Sequence, residues 1–327
     1  MKGGAYMANT LAKPLAKPKA KSKNKFILFA KKMWKQRMLQ LMVIPGVIWM
    51  FIFNYLPLTG IQIAFRDFRI TRGIWEGNWV GFQNFIEFFN DRNFGMVMTN
   101  TLGISALNLV LGFPLPIIFA LLLNELRSNK FKRVVQTVSY MPHFISWVVF
   151  GGIIITWLST SGMFNQIMVA LGIIEQPVSY LGRPEYFWFI AWLTNAWKVL
   201  GFSSIIYLAA IAGVDQQIYE AASIDGASRF QKVIHITLPS ISGTIAILLI
   251  LAVSGILNTN FDQIFVLGNV LNAPRSTVLD IHVYNTAMQL GRFSYATAIG
   301  LFRSVIASIL LIGANIASKK ILGRGLF

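Results

Sequence analysis

Residues 219–240 read YEAASIDGASRFQKVIHITLPS and separate two strongly apolar runs of the chain. The stretch contains five ionisable side chains, Glu220, Asp225, Arg229, Lys232 and His235. Charged side chains are costly inside a bilayer, so this stretch is too polar to cross one. It therefore indicates a connection outside the membrane between two membrane-spanning helices.

The composition extends this conclusion to the whole chain. Of its 327 residues, 55% are hydrophobic and 13% are charged, and the mean hydropathy is +0.59. In soluble proteins about a quarter of the residues are charged. The low charge here therefore leads us to expect an all-α integral membrane protein. The chain has no cysteine, which excludes a disulfide framework and a cysteine-based metal site or nucleophile. Three scattered histidines do not suggest a metal site either.

The N-terminal segment is strongly basic. Residues 1–37 hold eleven Lys or Arg and no acid, within a chain of net charge +17. Its Ala-Lys-Pro repeats have almost no apolar side chains to bury, which predicts a disordered tail. Because the tail adjoins a hydrophobic segment, we interpret it as a cytoplasmic tail that contacts anionic lipid rather than as a nucleic-acid-binding arm.

Membrane-spanning helices need roughly 20 mostly apolar residues to cross about 30 Å of hydrocarbon. Six stretches qualify, at about 39–60, 97–123, 134–158, 186–212, 240–260 and 294–318. They form a predicted transmembrane domain over residues 38–327. With the N-terminus inside, the cytoplasmic segments hold 20 Lys or Arg and the outer loops hold 7. The excess of positive charge inside predicts that both termini, and the loop between helices four and five, are cytoplasmic.

That loop, the stretch quoted above, predicts two short helices. Residues 216–224 and 227–235 each place apolar side chains on one face, and Gly226 between them tolerates backbone conformations that other residues resist. Leu238-Pro239 is expected to end the unit, because proline disfavours helix in the preceding residue and suits the first turn of the next helix. A bent amphipathic pair of this kind docks in a groove of another protein or rests on lipid headgroups, and periodicity alone leaves both open.

The same stretch resembles the EAA loop of ABC importer permeases. That pattern is Glu-Ala-Ala, three residues, Gly, nine residues, Ile, one residue and Leu-Pro, and every spacing is kept here. The resemblance covers roughly residues 95–320. It implies that about 216–235 form a coupling helix, which sits in a cleft of an ATPase subunit and transmits nucleotide-driven closure to the membrane helices. The residues expected at this contact are Glu220, Ala221, Ala222, Asp225, Gly226, Arg229, Phe230, Leu238 and Pro239.

Two further regions resemble the LplB-type branch of these permeases. They are AWKVLGFSSIIYLAAIAGVDQQIYEAASIDGAS and the region that runs from STVLDIHVYN to GRFSYATAIGLFRSVI. This branch implies an oligosaccharide cargo, including uronate-containing oligosaccharides. The chain contains no G-x-x-x-x-G-K-[ST] sequence and no evident catalytic constellation. We therefore expect no catalytic residue, metal or cofactor in this chain, with ATP and Mg²⁺ bound by partner ATPase subunits.

Four residues within the predicted spans are candidates for the translocation path: Lys198, Trp197, Arg303 and His143. Lys198 and Arg303 have no acid within any predicted span, and an unpartnered charge there is costly. One hypothesis is that both line a polar path that favours an anionic sugar, with Trp197 offering a flat face to a sugar ring. The alternative assigns Lys198 to helix-end carbonyls or a partner's acid, Arg303 to outward snorkelling and His143 to helix packing.

The segment 261–293 is long for a simple turn between two spans, and long loops are often functional. By position it resembles the outer loop that reaches into the solute-binding protein. Asn272, Arg275 and Asp280 are the candidate contacts. The alternative is a loop that only covers the helix ends.

The leading hypothesis is one multi-pass permease subunit of an ABC importer for oligosaccharides in a bacterial cell membrane. Its expected partners are a second permease, two ATPase subunits, an extracytoplasmic solute-binding protein and membrane lipid, without nucleic acid. A permease for another solute is one alternative. A secondary transporter is disfavoured because the spans lack carboxylates and inverted repeats, and a membrane enzyme because no catalytic groups converge.

Overall fold

The computed structural model describes residues 31–71, 73–323 and 325–326. Most of the predicted disordered tail, residues 1–30, lies outside this range. Residues 31–35 are helical, so helix begins before the predicted end of the tail at residue 37. The chain forms two compact units, Met1–Gly60 and Ile61–Phe327, and everything discussed below as a site lies in the second unit.

Helices make up nearly all of the described residues, whose one extended pairing is a single bridge between Arg66 and Trp79. The helices, labelled here in chain order, are α1 (Arg37–Met50), α2 (Gln83–Phe89), α3 (Phe94–Leu107), α4 (Pro114–Asn124), α5 (Asn129–Phe144), α6 (Trp147–Leu158), α7 (Met163–Ala170), α8 (Pro184–Ala212), α9 (Gln216–Ile224), α10 (Arg229–Lys232), α11 (Leu238–Ser254), α12 (Phe261–Leu267), α13 (Ala273–Ser276), α14 (Leu279–Tyr284) and α15 (Phe293–Leu322). The predicted all-α class is confirmed.

Within the described residues, six helical runs are long and apolar enough to cross a membrane, which confirms the predicted number. These runs, called spans 1 to 6, are Arg37–Phe65, Phe94–Asn124, Trp147–Ala170, Pro184–Ala212, Arg229–Ser254 and Phe293–Ile321.

The third predicted span, 134–158, is wrong as a single helix. Helix α5 ends at Phe144, and Ser146 starts α6 by accepting a hydrogen bond from the Val149 N–H at 3.3 Å. Pro142 lies in the last turn of α5, where its missing N–H weakens continuation of the helix. The apolar run therefore holds a helix break at residues 145 and 146.

Three π-helical turns carry the chain through prolines without a break. They are Phe51–Tyr55, Asn108–Gly112 and Val233–Thr237, and a proline follows each at the second residue, Pro57, Pro114 and Pro239. In an α-helix the proline ring clashes with the carbonyl four residues earlier, and the wider π turn moves that carbonyl away. Pro239 lies in the first turn of α11, as predicted, but the coupling unit does not end with a break there, because Arg229–Ser254 is one continuous helical run.

Helix α8 is the central element of the second unit and packs against α4, α5, α3 and α11. Its buried face carries Phe187, Ile190 and Ala191 toward α6 and α12, and Tyr207 and Ile211 toward α4 and α11. Helix α5 comes closest at Gly201, where a Cβ would lie 2.2 Å from the Ser139 carbonyl oxygen. Helix α5 can thus approach α8 this closely only because residue 201 is a glycine.

We expect Gly201→Ala to destabilise the protein, because the new methyl group must push α5 away from α8. Overpacking of this kind costs about 1–3 kcal/mol. Thermal unfolding of the purified transporter measures the effect. Gly300→Ala is the matched control, since a Cβ at Gly300 meets nothing within 4 Å, and it should be neutral or stabilising by up to about 1 kcal/mol. Equal melting temperatures for the two variants would contradict the packing argument.

Candidate functional site

A cavity of about 760 Å³ lies between spans 2, 4 and 5 and the residues that follow span 5. Its polar lining consists of Ser105, Asn108, Asn195, Ser203, Tyr207, Asn258, Thr259, Asn260 and Gln263. The rest of its wall is apolar and consists of leucine, isoleucine, valine, phenylalanine, alanine, proline and glycine residues. Among the described residues that line it, none is Asp, Glu, Lys, Arg or His. The cavity therefore offers neutral hydrogen-bonding groups between apolar surfaces.

The amides of the cavity are held by hydrogen bonds between spans. Asn195 Nδ2 donates to Asn108 Oδ1 at 3.0 Å, and Asn108 Nδ2 donates to the Ile104 carbonyl at 3.0 Å. Gln263 Nε2 donates to the Ala191 carbonyl at 2.6 Å and to Thr194 Oγ1 at 2.8 Å. These bonds use the amide N–H groups and fix the side chains in orientation. The prediction from sequence missed these residues, although uncharged amides within apolar spans are themselves a signal.

Lys198 lies outside the lining and is buried, with 5% of its surface exposed. Its Nζ donates to the carbonyls of Pro142 at 3.0 Å and His143 at 2.9 Å, and also to that of Ile145. These three carbonyls lie where α5 ends, and a cation is stabilising at a helix C-terminus. The ammonium thus supplies the hydrogen-bond donor for the carbonyls at this helix break. This agrees with the alternative prediction, which assigned Lys198 to helix-end carbonyls. The predicted contact of Lys198 with an acidic sugar has no support in this geometry.

The other three candidates for the path also lie outside the cavity lining. Trp197 stacks on Trp157 with ring centroids 6.2 Å apart. The His143 ring stacks parallel to the Phe202 ring with centroids 3.9 Å apart, so His143 packs against a residue that lines the cavity. Arg303 forms an ion pair with Asp280. The structure therefore does not bring Lys198, Trp197, Arg303 and His143 together on one path.

The segment 261–293 is folded into the helical unit rather than exposed as an outer loop. Asn272 is fully buried and donates to the Leu181 carbonyl at 2.9 Å, and Asp280 accepts from Thr259. Arg275 is exposed and lies over the Trp188 ring at 4.7 Å. Of the three predicted contacts, Asn272 and Asp280 are thus internal. The exposed tip is instead Val270 and Leu271, at 91% and 66% exposure.

The predicted coupling helices are present as α9 and α10, the latter continuous with span 5. Gly226 between them has φ of +77°, a left-handed conformation that other residues resist. Ser228 and Gln231 form a capping box that starts α10. Tyr219 and Thr237 hydroxyls lie 2.8 Å apart and tie the two helices together.

Some of the predicted coupling residues line a cleft, and others are exposed beside it. Ala222, Asp225 and Gly226 line a cleft of about 390 Å³ between the two helices. Glu220, Ala221 and Arg229 are exposed, and Phe230 is 74% exposed. Leu238 and Pro239 lie in the first turn of α11 instead of in the surface unit. Large exposed apolar side chains beside a cleft are typical of an interaction surface.

A second group of ionisable residues lies where α2 meets the start of span 6. Burial favours the protonated Asp91, but the Asn93 N–H, the Tyr295 hydroxyl and the nearby His282 and Arg292 outweigh it and lower the pKa of Asp91. Burial lowers the pKa of His282, with Arg292 acting in the same direction and Asp91 opposing it. His282 is therefore neutral near pH 7, and this cluster is a packed contact between α2, α14 and α15.

Residues 112–322, which contain spans 4 and 5, the C-terminal part of span 2 and the helices α9 and α10, match the family model described as "Binding-protein-dependent transport system inner membrane component". The chain belongs to this family. It is thus a multi-pass membrane permease, the membrane component of an ABC transporter rather than its catalytic subunit.

Two permeases of Bacillus subtilis are similar to this chain over most of their length. The chain is 41% identical over 294 residues to Protein LplB of Bacillus subtilis, covering 90% of this chain and 92% of that one. It is 40% identical over 297 residues to the polygalacturonan/rhamnogalacturonan transport system permease protein YteP of the same organism, with 90% and 92% covered. The predicted resemblance to the LplB-type branch is confirmed.

A solved structure agrees with the fold. A chain of a bacterial alginate ABC transporter, in complex with an alginate pentasaccharide-bound periplasmic protein, superimposes with a TM-score of 0.83 at 37% identity. The match covers 90% of this permease and 99% of that chain.

We expect Lys198→Met to destabilise the permease, because three carbonyls at the end of α5 lose their donor. A hydrogen bond to a charged group contributes about 1.5–3 kcal/mol, so a loss of about 2 kcal/mol or more should appear in thermal unfolding. Lys198→Arg, which keeps the cation, should recover part of it. Uptake of acidic and neutral oligosaccharides should fall by the same factor. A selective loss of acidic oligosaccharide would contradict the capping role and restore charge selection.

Proposed function

We propose that this permease moves oligosaccharides into the cell through the amide-lined cavity between spans 2, 4 and 5. The observation that carries the proposal is the lining of that cavity, with fixed neutral amides and hydroxyls set between apolar side chains. Sugars present many hydroxyls and apolar C–H faces, which such a surface matches. The similar permease YteP belongs to a polygalacturonan/rhamnogalacturonan transport system and the similar solved chain to an alginate transporter, which supports a saccharide cargo.

We infer further that this chain recognises hydroxyls rather than carboxylates. A uronate that entered the cavity would find no cationic partner among its described lining residues. Burying an unpaired carboxylate is costly, so any preference for acidic sugars has to come from other subunits or from water in the path. Acidic and neutral oligosaccharides of equal length are therefore both proposed substrates at this step.

The arrangement in the membrane is part of the same proposal. Both termini and the helices α9 and α10 face the cytoplasm, as the distribution of Lys and Arg between loops supports. The exposed rim around Phe230 and the cleft beside Gly226 dock on ATPase subunits, which bind ATP and Mg²⁺. A second permease completes the membrane part, in a bacterial cell membrane.

An external solute-binding protein is proposed to deliver the sugar. The alginate transporter that resembles this chain was solved with such a periplasmic protein. The exposed Val270 and Leu271 are the better candidates for this contact, because Asn272 is buried beneath them. Asn269 and Asn272 both donate to the Leu181 carbonyl at 2.9 Å and hold this tip in place.

The cavity is tested by Asn258→Ala, which removes an exposed lining amide. Since a hydrogen bond contributes about 0.5–1.5 kcal/mol, uptake by the reconstituted transporter should fall about 2- to 12-fold for acidic and neutral oligosaccharides alike. Asn90→Ala, an exposed amide outside the cavity, should leave uptake unchanged. Unchanged uptake in Asn258→Ala, or equal loss in both variants, would argue against a sugar-binding cavity here.

Coupling is tested at the positive-φ glycine between α9 and α10. Gly226→Ala places a side chain in a left-handed conformation at a cost of about 1–2 kcal/mol, which should distort the pair and lower ATP-driven uptake. Gly172→Ala is the matched control, with φ of +67° and an equally open surrounding. Both variants should retain similar stability. Only Gly226→Ala should weaken co-purification of the ATPase subunit, and full ATPase binding in that variant would sink the coupling role.

A further inference from the structure

The wall of the cavity after span 5 is not helical. Between Ser254 and Phe261 the chain turns and then extends, and Asn258, Thr259 and Asn260 line the cavity from this break. Polar backbone at membrane depth needs partners within the protein. Both donors of Thr259 bind the same carboxylate oxygen: its N–H and its hydroxyl donate to Asp280 Oδ2 at 3.1 and 3.0 Å.

The same carboxylate binds the cation of span 6. Its other oxygen, Asp280 Oδ1, accepts from Arg303 Nη1. Asp280 is 15% exposed and Arg303 is 35% exposed, so the pair is largely shielded from water. Asp280 therefore has both oxygens occupied, one by the cavity wall and one by a membrane helix.

From this chain of contacts we propose that Asp280 and Arg303 are positioning residues, which fix the cavity wall at Asn258–Asn260 to span 6. The inference rests on the proposed function, in which this cavity holds the sugar. Neither residue lines the cavity or contacts the sugar. A shift of span 6 moves Arg303, and Asp280 passes that shift to Thr259 and to the amides on either side of it. The pair thus links the outline of the sugar site to the position of the sixth span.

The test measures the wall directly. Because the chain contains no cysteine, Asn258→Cys gives it a single thiol for a nitroxide spin label, which is attached before the permease is combined with its partner subunits. The complete transporter, with partner permease, ATPase subunits and binding protein, is reconstituted in nanodiscs and in proteoliposomes. In the Asp280→Asn background we expect a more mobile label and an uptake rate, measured with unlabelled Asn258, reduced at least tenfold.

A second ion pair, next to the start of span 6, supplies the matched control. Glu87 of α2 and Arg292, the residue before span 6, lie 2.5 Å apart, are 47% and 41% exposed, and do not line the cavity. Glu87→Gln also removes a carboxylate that pairs with an arginine, so label mobility and uptake should stay within twofold of the parent protein. Asp280→Glu, which keeps the charge and the acceptor oxygens, should recover most of the uptake.

If the Asp280→Asn variant does not assemble into the transporter, Thr259→Val replaces it in the test. It removes one donor to Asp280, leaves the ion pair with Arg303, and should raise label mobility and lower uptake about threefold. An unchanged spectrum at position 258 in both Asp280→Asn and Thr259→Val would overturn the positioning role. Failure of the unmodified transporter to move any oligosaccharide would overturn the proposed cargo instead, and the spectra would still decide the role of the pair.

Discussion

One ammonium group holds together the part of the molecule on which the cavity depends. Lys198, in the middle of span 4, donates to three carbonyls where α5 ends. In hydrocarbon no water is available for those carbonyls, so a helix that stops at membrane depth needs an internal donor. With that donor in place, α5 lies directly against α8 at Gly201, and His143 stacks on the cavity-lining Phe202. The break in the backbone and the cation that satisfies it form one structural unit.

Backbone hydrogen bonding also explains the other irregular features. Prolines in spans 1, 2 and 5 follow π turns that keep the helix continuous, while the chain after span 5 leaves the helix where Asp280 accepts its N–H. Irregular backbone at this depth is tolerated where it is buried in protein or lines a cavity. The helix break after Phe144 and the extended wall after span 5 each have such a partner, Lys198 for the first and Asp280 for the second.

Much of this architecture could be predicted from the sequence. Apolar runs gave the number of spans, and the spacing from Glu220 to Pro239 gave both the family and the pair of short helices beside span 5. These signals are local, because hydropathy and motif spacing are read within about twenty residues. The helix break after Phe144 was missed because the apolar run continues across it without a change in composition.

The partners of the charged residues could not be predicted in the same way. Lys198 meets carbonyls 53 to 56 residues earlier, and Arg303 meets a carboxylate 23 residues earlier that the sequence assigned to an outer loop. Only the tertiary fold brings these groups together. The cavity residues were not predicted because charge is the clearest sign of function within an apolar span, whereas Asn108, Asn195 and Gln263 are uncharged.

The continuity of span 5 through Pro239 has a mechanical consequence. Arg229–Ser254 is a single run of 26 residues, about 39 Å long at about 1.5 Å per residue. If the run tilts as one body, a tilt of about 5° at one end displaces the other end by about 3 Å, the length of one hydrogen bond. The end remote from α9 and α10 adjoins Asn258–Asn260. In the proposed function, a small tilt of α10 would therefore be enough to make or break hydrogen bonds at this wall of the cavity.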